Sequence, residues 1–169
     1  DKALYNVEKI KKMANGRAVM PVVKADAYGH GANILADLYE KHGAESFAVS
    51  NINEAIKLRK HGIKSDILVL GYTPVSYINQ IYAFNITQAV YCLEYARELS
   101  SAAVENSLTV KIHIKADTGM CRIGFDCRDA SLSGLCDIEN ALSLPNLSAE
   151  GIFTHYSSAD SENADDIAF

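Results

Sequence analysis

Short, mostly apolar runs alternate along the whole chain with stretches in which apolar residues recur at helical spacing. The runs are residues 17–24 (RAVMPVVK), 46–50 (SFAVS), 66–71 (DILVLG), 87–92 (TQAVYC), 108–115 (LTVKIHIK) and 149–155 (AEGIFTH). Their length and β-branched content predict strands, and most lack polar alternation, which predicts burial on both faces. The intervening patterns predict helices over residues 4–13, 32–41, 53–61, 75–84, 94–105 and 131–142. Ile34, Leu35 and Leu38 share one side of the second, and Gly62 stops the third. Neither a Pro/Ser-rich linker nor a low-complexity stretch divides the chain, so one unit is expected.

Repeated β-then-α units imply a parallel sheet, because parallel neighbours need a crossover connection and a helix supplies it. An open doubly wound sheet and a closed (β/α)8 barrel both satisfy this pattern. The first four strand centres, near Val22, Ala48, Val69 and Val90, recur every 21 to 26 residues, close to the roughly 30 residues per unit of a TIM-type barrel. No G-x-G-x-x-G follows any strand, which counts against a dinucleotide-binding sheet. The expectation is a (β/α)8 barrel, here about its first six β/α units.

Composition narrows the function classes. The chain has 169 residues, 49% of them hydrophobic and 22% charged, as in an ordinary folded domain. Its 16 Lys and Arg against 21 Asp and Glu give a net charge of −5. The basic residues are scattered, so no nucleic-acid partner is expected. No apolar run approaches the roughly 18–20 residues of a membrane span, and Asp1-Lys2-Ala3-Leu4 lacks the form of a signal peptide. A cytoplasmic location is expected. Cys92, Cys121, Cys127 and Cys136 form no C-x-x-C pair and have no histidine at zinc-finger spacing. Reduced thiols and no metal are therefore expected.

In a barrel of this type, chemistry sits at the carboxyl ends of the strands, and three such ends are polar. The first is MPVVKADAYGHG, residues 20–31, an apolar strand running into Lys24 and a glycine-flanked turn. A lysine desolvated at such a mouth loses preference for its ammonium form and becomes a nucleophile for an aldehyde, whereas an ordinary strand-end lysine snorkels to water. The second is KADTGMCRIGF, residues 115–125. Two cations at a buried strand end, Lys115 and Arg122, are costly unless paired or bound to an anion. The third is EGIFTHYSSAD, residues 150–160, where His155 follows a strand.

VVKADAYGHG resembles the pyridoxal-phosphate segment of the alanine racemase family. KADTGMCRIG is similar to that family's K-x-D-T-G-M-G-R-x-G signature, and GIFTHYSSAD resembles its next strand end. The resemblance implies that Lys24 forms a Schiff base with pyridoxal 5'-phosphate and that Tyr28 contacts the cofactor phosphate. It further implies that Arg122 lies beside the cofactor, that Lys115 is the candidate carbamylated lysine, and that His155 lies under the cofactor ring. Cys121 stands where the family usually has glycine. If that backbone needs a positive φ, a side chain there costs about 1–2 kcal/mol. His30 reads as turn-stabilising, and His42, His61 and His113 carry no site role.

The implied activity is that of an isomerase, interconverting L- and D-alanine for peptidoglycan, with Lys24 serving one face of the substrate α-carbon. In the family the other face is served by a tyrosine from a partner subunit's β-rich C-terminal domain, within a homodimer. No part of this sequence corresponds to that domain. Residues 1–169 are therefore read as the N-terminal part of a pyridoxal-phosphate-binding barrel domain, with the C-terminal β domain absent and the isolated chain inactive. A serine racemase of the same family, a non-catalytic pyridoxal-phosphate-binding barrel protein and a decarboxylase of basic amino acids are the alternatives.

Overall fold

A computed structural model of the chain describes residues 2–128 and 133–162. Helix α1 (Lys2–Met13) leads to a short helical turn, α2 (Lys24–Tyr28), and then to α3 (Ala32–Lys41). Alternation follows: β1 (Ser46–Val49), α4 (Ile52–His61), β2 (Asp66–Val69), a 3-10 turn (Val75–Tyr77) continuing as α5 (Ile78–Ala83), β3 (Ile86–Val90), α6 (Leu93–Glu105) and β4 (Val110–Asp117). The last described elements are β5 (Phe125–Asp126), α7 (Ser133–Leu142) and β6 (Leu147–Phe153). The expected helix over residues 131–142 begins at Ser133, and its first two positions lie outside the described residues.

Among the described residues every strand pairing is parallel, in the order β1-β2-β3-β4, with both β5 and β6 on β4. Phe47, Val49, Ile67, Val69, Ile86, Val90, Ile112 and Ile114 alternate along the strands onto the face that carries the helices. There they meet Leu58 of α4, Ile81 of α5 and Leu99 of α6, all almost fully buried. Each such side chain stabilises the fold by roughly 1.5–3 kcal/mol. Alanines at Ala55, Ala96 and Ala103, also buried, let the helices approach the sheet closely. The opposite face carries Ser46, Leu68, Thr87 and His113, which with Met20, Asp66 and Glu150 line a cavity of about 200 Å³. A parallel sheet with helices packed on one face and a lined interior on the other is part of a TIM-type barrel, as the sequence pattern expects.

Two expected strands are corrected. Residues 17–24 reduce to one bridge, Val22 with Ala48. Pro21 has no N–H to donate, so only Ala48 N to Pro21 O and Val23 N to Ala48 O join this segment to β1. Val22 is 45% exposed, and β6 is exposed over Ser148–Glu150, so neither run is buried on both faces. Strand β5 escapes the apolar-run criterion because it has two residues. The helix expected over residues 75–84 opens as a 3-10 turn behind Pro74.

Candidate functional site

The segment after the Val22 bridge carries the most unusual backbone among the described residues. Ala25, Asp26, Ala27 and Tyr28 have φ of 51°, 54°, 52° and 55°, a left-handed turn built from four L-residues without glycine. Each position of this kind costs about 1–2 kcal/mol, so the turn persists only because its surroundings over-determine it. Ala27 N donates to Val23 O (3.0 Å), while Gly29 N and Gly31 N both donate to Asp26 O (3.1 and 2.9 Å). The Asp26 carboxylate accepts from Ala32 N at the start of α3 (2.9 Å), and His30 Nδ1 lies 2.9 Å from Ala27 O. Ala25 N donates to Glu54 Oε1 of α4 (2.8 Å). Gly29, at φ 87°, ends the turn where an L-residue would add further strain.

Lys24 opens this turn at the carboxyl end of the sheet. Its amine makes no hydrogen bond or ion pair with any described residue. Tyr28 is 65% exposed, and its hydroxyl is likewise without a partner among the described residues.

At the end of β4, Lys115 is 4% exposed, and its amine lies 5.4 Å from the centre of the Phe153 ring. Burial pushes its pKa down, the Arg122 guanidinium pushes the same way, and Asp117 opposes them. Asp117 Oδ1 accepts from Gly119 N and Cys121 N, both at 3.0 Å. These bonds hold the Asp117 carboxyl below the usual range against the effect of burial. They also curl the loop so that Cys121 sits at φ 54°, the left-handed backbone for which glycine is the usual solution. The loop returns through β5, with Ala116 in register with Phe125 and Cys127 N donating to Asp117 O (2.9 Å). A side chain at Gly124 would put its Cβ 2.6 Å from Asp117 N, so that return demands glycine. Arg122 is exposed, and no described residue accepts a hydrogen bond from its guanidinium. The Arg122 guanidinium, without an acceptor among the described residues, beside the buried Lys115 amine, whose nearby carboxylate is Asp117, makes a site suited to an anion.

Strand β6 ends beside β4, with Phe153 in register with Lys115. Thr154 Oγ1 donates to Ala116 O (3.0 Å) and lies 2.8 Å from Thr118 Oγ1, which fastens the two strand ends together. His155 follows, exposed and without a ring partner among the described residues. The structure thus brings Lys115, Arg122 and His155 to one flank of the carboxyl end and leaves Lys24 and Tyr28 at the flank beyond β1. It makes no direct bond between the two groups. Among the described residues, no cluster of three or more His, Cys, Asp or Glu could hold a metal ion.

The sequence reading missed Glu54. Its Oε2 accepts from Ser50 N and Ser50 Oγ, both at 2.8 Å, and its own N–H donates to Asn51 Oδ1 (3.1 Å). Burial pushes the Glu54 carboxyl up, but the hydrogen bonds it accepts from Ser50, Ala25 and the Asn51 backbone outweigh it and hold the pKa below the ordinary value. The spacing Asn51-x-x-Glu54 at the start of a helix is that of a capping box, the one signal that could have singled it out. The donor set as a whole is an unpartnered amine, a phenol, a guanidinium beside a buried lysine, and an imidazole. It suits a small anionic molecule that carries a carbonyl.

A family model described as alanine racemase, N-terminal domain, matches residues 1–168. An alanine racemase of Clostridium tetani is 46% identical over 163 residues, which are 96% of this chain and 41% of that protein. The solved alanine racemase of Clostridium difficile superposes with a TM-score of 0.87 at 35% identity, covering 98% of this chain and 43% of that one. A histidine racemase from Leuconostoc mesenteroides superposes with a TM-score of 0.86 at 30% identity, covering 98% and 44%. The chain spans about two fifths of the length of the curated relatives it matches.

Proposed function

The chain belongs to the alanine racemase N-terminal domain family, and from that membership we propose that it is the barrel part of a pyridoxal-phosphate-dependent isomerase interconverting L- and D-alanine. The observation that carries the reading is Lys24, an unpartnered amine at the carboxyl end of a parallel sheet, presented by a strained turn. The donor set fits the cofactor: an amine for its aldehyde, the Tyr28 hydroxyl for its phosphate, and Arg122 and His155 for its ring. Pyridoxal phosphate supplies the electron sink that acidifies the substrate α-carbon.

The chain's residues divide the remaining work. Lys24 Nζ is the amine that would hold the cofactor through its aldehyde, and the same amine would take up or give a proton on one face of the substrate α-carbon. Burial and Arg122 enlarge the neutral fraction of Lys115. The neutral amine is the form that adds carbon dioxide, and a carbamate there would turn its repulsion with Arg122 into attraction and orient the guanidinium. The proton on the other face belongs, in this proposal, to a tyrosine from a β-rich domain of a partner subunit, so the working protein is a homodimer. A cytoplasmic source of D-alanine for peptidoglycan is the role that follows. Among the described residues, no helix is long and apolar enough to cross a membrane.

A second substrate reading has one observation in its favour. A histidine racemase superposes as well as the alanine racemase does, so this barrel frame accommodates a larger side chain in at least one relative. The test uses the full-length protein with L-alanine in heavy water. Deuterium should enter the α-position of both enantiomers, and Lys24→Ala should abolish it. Exchange on serine or histidine but not alanine would move the substrate, and release of carbon dioxide from ornithine or lysine would replace the racemase with a decarboxylase. A cofactor reducible onto Lys24 with no exchange on any amino acid would make the protein a carrier.

A further inference from the structure

We propose that Glu54 is the positioning residue for Lys24, its carboxylate holding the Ala25 N–H and thereby fixing the direction in which the Lys24 side chain leaves the backbone. The inference rests on Lys24 being the cofactor-bearing lysine. The Ala25 N–H lies in the peptide plane that follows the Lys24 α-carbon, and rotation of that plane is the ψ angle of Lys24. Glu54 Oε1 accepts from this N–H at 2.8 Å. The preceding plane is held separately, because Val23 O accepts from Ala27 N at 3.0 Å. With both planes fixed, the Cα–Cβ direction of Lys24 is fixed too. The remaining bonds of the turn, from Gly29, Gly31 and Ala32 to Asp26 and from His30 to Ala27, tie down its far half, so Glu54 is the acceptor from outside the turn that holds the plane on the ψ side of Lys24.

A carboxylate suits this task better than other acceptors. Its two oxygens accept on both sides and donate nothing, so Oε1 can hold the turn while Oε2 is anchored by Ser50 N and Ser50 Oγ at the end of β1. The Asn51 cap fixes the Glu54 backbone in the first turn of α4. Ala25 is exposed, so its N–H has water as an alternative partner. An acceptor already fixed by β1 and α4 outcompetes water because little further ordering is lost on bonding. A glutamine keeps the shape of the side chain but offers one oxygen for two sets of donors, and its NH2 would face an N–H.

The test uses full-length protein stripped of cofactor. Its readouts are the rate at which added pyridoxal phosphate becomes reducible onto Lys24, hydrogen exchange at the Ala25 amide, and thermal melting. Glu54→Gln is expected to slow capture of Lys24 by about tenfold or more, as misorientation of a reacting group does, to speed exchange at Ala25, and to lower the melting temperature at least as much as loss of the Ser50 hydroxyl does. Ser50→Ala removes the Oγ bond but not the Ala25 bond, so it should lower the melting temperature and leave capture at the wild-type rate. Capture and exchange both unchanged in a folded Glu54→Gln protein would overturn the proposal. If wild-type Lys24 is never captured, the reading of Lys24 itself fails. Exchange at Ala25 then still decides whether Glu54 holds the turn.

Discussion

Lys115 shows how a single residue is caught between burial and chemistry. The residue is 4% exposed, its amine lies 5.4 Å from the centre of the Phe153 ring, and Arg122 is close enough to disfavour its charge. An ammonium in such surroundings costs stability, because the ring returns only about 0.5–1 kcal/mol or slightly more. The sign with pH follows from the lowered folded pKa. Below it the cost is fully present, and between it and the unfolded value of about 10.4 the unfolded chain binds more protons, so stability rises with pH. Lys115→Met should therefore stabilise the fold near neutral pH by about 1 kcal/mol and abolish the rise at alkaline pH. Urea titrations at pH 7 and pH 9.5 with bicarbonate excluded would show it. A methionine variant less stable than wild type under those conditions would mean that the lysine is paired more favourably than its surroundings imply. Cys121, at φ 54°, carries a neighbouring cost of backbone origin, since the condition the sequence left open there, a positive φ, is met.

Among the elements, α4 does more than cover the sheet, since its first turn holds the Lys24 turn through Glu54 and its last turn holds two loops through Arg59. The Arg59 guanidinium donates to Phe84 O (2.8 Å), Ile63 O (2.9 Å), Ser65 O (2.6 Å) and Asn85 O (3.0 Å). Those carbonyls flank the starts of β2 and β3. Arg59→Ala leaves them to find water or go unpaired and should cost about 2–4 kcal/mol. Arg59→Lys should recover less than half, because a point ammonium cannot span the fork; equal stability of the two variants in thermal melts would contradict this. Helices such as α3 were legible within a residue because periodicity and Gly62-type stops are local signals. Strands β1 to β4 were legible as short runs rich in β-branched residues with an unbroken apolar face toward the helices. The Lys24, Lys115, Arg122 and His155 positions were legible as polar residues at expected strand ends, whereas Tyr28 entered through the family resemblance. The left-handed turn was not, since Ala25-Asp26-Ala27-Tyr28 has no glycine to announce positive φ. One of the bonds that hold it comes from 29 residues further along the chain, in Glu54. A bond from a distant partner leaves no local trace.

At the scale of the whole molecule, the described sheet is bounded by β6, which among the described residues pairs only with β4. The two halves of this strand differ. In the first, Lys111 and Glu150 form an ion pair at 3.3 Å. There the register shift between Ile112 and His113 makes Glu150 an extra residue that bends the strand. Charges and bulges are the usual protection of a sheet edge. The second half, Gly151-Ile152-Phe153, has neither, and Ile152 is 64% exposed. An unpaired strand edge with an exposed apolar side chain is a template for another strand, so the isolated 169-residue chain should self-associate through this half of β6. Ile152→Lys places a charge on the unprotected half and should shift the chain toward monomer in light scattering. Its melting temperature should hardly change, because a side chain already in water contributes little to the core. If wild type and variant scatter as the same oligomer, association runs through another surface. The exposed Val22 region beyond β1, where Pro21 cuts the ladder to a single bridge, is the next place to substitute.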